Sequence, residues 1–128
     1  MSSVLHEILQ ERHRQNEKWG EQNHPDLRPG LAKYLNTPDG ELDVVEVAEY
    51  YGVPTAFEAK ALTDTTAAEG NASWVAIAVE ELAEAVEAAA LGHQIALRTE
   101  VVQLAAVCVQ WAQAIDRRRA AAAAEESR

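Results

Sequence analysis

Four glycines, Gly20, Gly52, Gly70 and Gly92, each follow a stretch of helix-forming residues, and they set the lengths of the helices this chain can build. Ser2 or Ser3 can cap a first helix of about 15 residues ending near Trp19-Gly20, with Val4, Leu5, Ile8 and Leu9 as its apolar side. From Glu21 to Gly40 the density of Pro and Gly predicts a loop, with a short turn of helix around Ala32 to Leu35. A short amphipathic helix follows from Glu41 to Tyr51. Pro54 suits the first turn of the next, about Thr55 to Glu69. Ser73 caps an Ala-rich helix from Trp74 to Leu91, and a last helix runs from about Gln94 to Arg119. The tail, Ala120 to Arg128, reads as a frayed end. Aromatics are only 5% of the chain, and no run alternates Val, Ile, Thr and aromatics as strands do. The expectation is all-α: one domain over residues 1–128, a bundle of four to five helices.

The chain has 128 residues and a net charge of −10. That balance argues against a nucleic-acid partner, which clustered Lys and Arg would hold. The one basic run, Arg117-Arg118-Arg119, marks a solvated helix end. Cys108, the single cysteine, excludes a disulfide framework and a Cys-based zinc site, and in its apolar surroundings it reads as a small buried hydrophobe. The N-terminus lacks a basic stretch followed by an apolar one, and the longest uncharged segment, Val101 to Ile115, is 15 residues. A membrane span needs roughly 20, so a soluble, cytoplasmic protein is expected.

On the Trp74–Leu91 helix, Val75, Val79, Leu82 and Val86 share the stripe expected to face the core. Glu80, Glu84 and Glu87 lie on the other side with Glu81 between them, a pattern that an ordinary solvated face also produces. No Lys or Arg occurs from Ala61 to Leu97, so nothing on this helix offsets their repulsion. On the last helix, Glu100 falls at the edge of the apolar stripe of Leu97, Leu104, Val107, Cys108, Trp111 and Ile115. A carboxylate at a core needs a cation, because burying a bare charge costs several kcal/mol. Glu81 and Glu84, at i and i+3, can lean toward one point that Glu100 reaches from a neighbouring helix. Oxygen ligands without Cys or a His pair select Mg²⁺ or Mn²⁺, which suits phosphate-ester chemistry. A redox di-iron site would need Glu-x-x-His pairs, and no His follows these carboxylates at that spacing.

Glu80-Glu81-Leu82-Ala83-Glu84, separated by 15 residues from Glu100-Val101-Val102-Gln103, resembles the EExxE…ExxD signature of the MazG-like, all-α nucleoside triphosphate pyrophosphohydrolases. The stretch Glu11 to Gln22, with Lys18-Trp19-Gly20-Glu21-Gln22, is similar to the opening of short, often phage-encoded members. The resemblance implies hydrolysis of an NTP or dNTP to the monophosphate and pyrophosphate, with two or three Mg²⁺ or Mn²⁺ per site. It implies Glu81, Glu84 and Glu100 as metal ligands, and Glu80 as a further ligand or as the group that orients the attacking water. Gln103 stands where the family has Asp and brings a carbonyl oxygen without a charge. Lys18, then Lys60 and Arg98, are the candidate phosphate cations. Trp19 is the candidate base-stacking ring, which favours a purine such as GTP or dGTP; dUTP-type clean-up is the alternative within the family. Leu27 to Gly52 looks individual to this chain, a lid or a structural filler. Val102, Ala106 and Val109, opposite Leu104 and Trp111, make the last helix apolar on two sides. Association with further copies, as a homodimer or homotetramer, is therefore expected, in the host cytoplasm if the chain is phage-encoded. The reading from another class is a non-catalytic acidic helical protein that docks on a basic partner.

Overall fold

Short-range hydrogen bonds start most of the helices. In the computed structural model, which describes residues 3–37 and 39–128, Ser3 caps α1 (Val4–Trp19) by accepting from the His6 amide. Asp43 accepts from the Val45 and Glu46 amides at 2.7 and 3.4 Å to open α3 (Val44–Tyr51), three residues later than the sequence pattern suggests. Thr55 and Glu58 form a reciprocal capping box at α4 (Ala56–Ala68). Thr55 is thus the cap, and Pro54 stands one residue before it rather than in the first turn. Ser73 caps α5 (Trp74–Leu91). The single turn α2 (Leu31–Tyr34) and the long α6 (Gln94–Glu126) complete an all-α chain with no strand among the described residues. Gly20 ends α1 at φ 67°, ψ −163°, a backbone region that glycine alone enters cheaply.

The chain divides into two units. One comprises the N-terminal stretch through His24 with Cys108–Arg128; the other is Pro25–Val107. In the second, α3 and α4 both pack on α5. The residues buried at these contacts are small: Ala83, Ala85 and Ala88 of α5, Ala59 of α4, and Val47 and Ala48 of α3. Ala83 and Ala85 point to nearly opposite sides of α5, about 200° apart, so the helix is covered on two sides. Thr63 Oγ1 lies 3.0 Å from the Ala59 carbonyl on its own helix and 3.3 Å from that of Ala76, tying α4 to α5. The stripe expected in the core is the more open one, with Val75 57% and Leu82 39% exposed. Alanines let helix backbones come close to α5, while Val79 and Val86 of the stripe are half-buried.

Leu27 to Gly52 is built into this unit, since Leu31 and Val47 are among its most buried residues. Asp26 accepts from Gln94 Nε2 at 3.0 Å, and the Arg28 amide donates to the Tyr51 hydroxyl at 2.7 Å. The Arg28 guanidinium lies 4.0 Å from the Tyr34 ring centre. These contacts strap the loop to α3 and to the start of α6.

In the first unit α1 buries no side chain, and Leu5, Ile8 and Leu9 are exposed. The 33-residue α6 continues to Glu126, so residues 120–126, expected to fray, are helical. Alanine is the strongest helix former, and the run Ala120 to Ala124 gives the helix no reason to stop. Cys108 is exposed, contrary to its reading as a core hydrophobe, because α6 has no buried side chain. By length and composition α6 is the one helix among the described residues that could cross a membrane.

If the alanine contacts set the spacing on α5, Ala83→Leu should destabilise the protein by about 1–3 kcal/mol through overpacking. Urea unfolding measures this, and an unchanged midpoint would remove Ala83 from the contact.

Candidate metal centre

The charged side of α5 meets the first turns of α6. One carboxylate oxygen each from Glu81, Glu84 and Glu100 lies within 4.8 Å of the others, and all three residues are half-buried. The helix repeat explains the convergence: Glu81 and Glu84 are one turn apart on α5, and Gly92 reverses the chain so that Glu100 approaches from α6. Gln103, one turn beyond Glu100, joins them. With its amide oriented by its neighbours, Nε2 donates to Glu81 Oε2 at 3.2 Å and to Glu100 Oε2 at 3.0 Å.

Partial burial pushes Glu84 up to about 7 from an ordinary 4.5, reinforced by a hydrogen bond and charge repulsion from Glu100 and by the charge of Glu80. Lys60 pulls the other way. Desolvation and then the Glu84 charge likewise raise Glu81, against a lowering hydrogen bond from Glu100. The cluster therefore holds negative charge at a cost, and a proton or a cation relieves it. An octahedral Mg²⁺ or Mn²⁺ separates opposite ligands by about 4 Å, so these three carboxylates could hold one with small side-chain rotations. Their half-exposure leaves further coordination positions open. Gln103 could turn its carbonyl oxygen to the same point.

A groove of about 490 Å³ runs beside the cluster, lined among others by Phe57 and Lys60 of α4, Glu84 and Glu87 of α5, His93, and Glu100 of α6. Lys60 Nζ is bound to Asp64 at 3.1 Å, and its ammonium is held protonated chiefly by that bond, with smaller contributions from Glu80 and Glu84. Of the two cations expected at phosphate within this unit, Lys60 is thus the one brought to the carboxylates. Arg98 is exposed on α6 and, two residues before Glu100, leaves the helix about 200° away from it. Lys18 and Trp19 belong to the other unit, where Lys18 Nζ sits 4.7 Å from the Trp19 ring centre. Phe57 and His93 were not distinguished by the sequence, and no spacing rule would have found them. Their place on the groove depends on α4 lying against α5.

No known protein family, curated protein or solved structure matches this chain.

In the metal-free protein Glu84 binds its proton more tightly folded than unfolded, so stability is greatest below about pH 4.5 and falls as pH rises toward 7. Thermal melts in a chelator should show this decline, Glu84→Gln should flatten it, and a curve unchanged by that substitution would contradict the shift. Gln103→Asp adds a fourth carboxylate, so it should lower the melting temperature in chelator and tighten Mn²⁺ binding measured by calorimetry.

Proposed function

We propose that the protein hydrolyses a nucleoside or deoxynucleoside triphosphate to the monophosphate and pyrophosphate, using Mg²⁺ or Mn²⁺, as the resemblance of its Glu80–Glu84 and Glu100–Gln103 motifs to MazG-like pyrophosphohydrolases implies. The observation that carries the reading is the convergence of Glu81, Glu84 and Glu100 from two helices within 4.8 Å. An acidic face meant only for solvent would spread its charges, whereas this one gathers them where burial raises the cost.

When bound, the divalent ions would acidify a water and offset the charge of the triphosphate. Glu81, Glu84 and Glu100 would hold them, with Gln103 as a neutral oxygen donor. Glu80, beside the cluster, would orient the attacking water and take its proton. The water oxygen bonds to the α-phosphorus as the bond from that phosphorus to the α–β bridging oxygen breaks, and pyrophosphate leaves. Lys60 would meet a phosphate oxygen from the α4 side of the groove. The protein would act as a homodimer or homotetramer in the cytoplasm, in nucleotide-pool control. A purine such as dGTP is the first base to test and dUTP the second.

The hydrogen bonds from Gln103 to Glu81 and Glu100 also satisfy part of the cluster without an ion. That favours, as a second reading, an acidic helical module that binds a basic partner.

The deciding experiment incubates the protein with each of the eight common NTPs and dNTPs in Mg²⁺ and in Mn²⁺ and resolves the products by ion exchange. Monophosphate with pyrophosphate is expected. Glu81→Gln should lower the rate by about a hundredfold or more, since loss of even an outer-shell partner can cost 10–100-fold, while circular dichroism stays unchanged. Diphosphate with phosphate would place the cut at another bond, and no turnover in any condition would leave the binding module.

A further inference from the structure

Phe57 is the most exposed of the chain's aromatic rings, at 83%, and it stands on the wall of the groove that contains Glu84 and Glu100. A phenylalanine left this open in water loses the burial free energy that usually places it inside. It is the second residue of α4, one helical turn before Lys60, so ring and ammonium share one side of the helix. The buried side of α4 is the one that carries Ala59, about 200° from Phe57. The facing wall holds Glu84 and Glu87, and His93 and Glu100 stand at the α6 end. Apolar ring, cation and carboxylate cluster thus border one space of about 490 Å³, within the range of small-molecule sites.

We infer that Phe57 is the platform on which the base of the nucleotide stacks, with the phosphates directed past Lys60 to the carboxylate cluster. This rests on the hydrolase reading and deepens it by assigning the base contact. Trp19, the ring expected for that contact, belongs to the other unit, where it lines a groove with Arg12, Gln15 and His24 and has the Lys18 ammonium against its face. A stacked base and an exposed phenylalanine each gain from removing the other's face from water, and stacking tolerates any base. Selectivity among bases would then come from the polar groups at the groove edge, His93 and Glu87.

The test separates base from phosphate. Calorimetry in Mn²⁺ compares inorganic tripolyphosphate, which has no base, with α,β-imido analogues of the four dNTPs, on the wild type, F57A, F57W and W19A. F57A should weaken the preferred analogue by about tenfold or more and leave tripolyphosphate unchanged, while F57W restores binding and W19A matches the wild type. In steady-state assays F57A should raise KM with little change in kcat. If F57A weakens tripolyphosphate equally, or W19A alone removes the base-dependent part, the assignment is wrong although the hydrolase reading stands. It is also wrong if F57A changes the oligomeric mass while analogue affinity is kept, because a second copy would then cover the ring. A wild type that binds neither probe would overturn the hydrolase reading, and this one with it.

Discussion

How closely two helices can approach α5 governs the arrangement of the Pro25–Val107 unit. Ala83, Ala85 and Ala88 are buried with a single methyl group each, and α3 and α4 both pack on this helix. Larger residues there would push the neighbours outward and open the groove between α4 and the carboxylates. Glu81 and Glu84 stand half-buried on the same helix, and burial is the largest cause that raises both carboxyls. The packing of α3 and α4 on α5 sets where these carboxylates stand.

Those positions bring like charges together with little to offset them. Lys60 is near enough to influence Glu84, but its own ion pair is with Asp64. Both carboxylates of α5 in the cluster are consequently harder to ionise than free glutamates. Strained charge of this kind is common at sites that bind cations or move protons.

Much of this was legible in the residues themselves, and the reason is locality. Ser3, Asp43, Thr55 and Ser73 cap helices through partners two or three residues away, so a linear reading finds the starts to within a few positions. The gathering of Glu81, Glu84 and Glu100 could be read too, because it needs only the helical repeat and one reversal at Gly92. What could not be read depends on which helices are neighbours. The valine and leucine stripe of α5 has the stronger hydrophobic signal, yet the alanines are buried, because proximity and not side-chain size decides the contact. Phe57 and His93 reach the groove only through the pairing of α4 with α5 and the turn into α6. Cys108 stands in an apolar run, which ordinarily means burial, yet α6 buries no side chain in this chain alone.

Gln103 is an amide set among carboxylates. A carboxylate at that position would present the same negative pole whatever lay between its neighbours. An amide carries a donor at one end and an acceptor at the other, and half a turn about its last single bond exchanges them without moving the backbone. With bare carboxylates it offers hydrogen; with their charge neutralised it can offer oxygen. The side chain is therefore matched to two opposite charge states of the same small space.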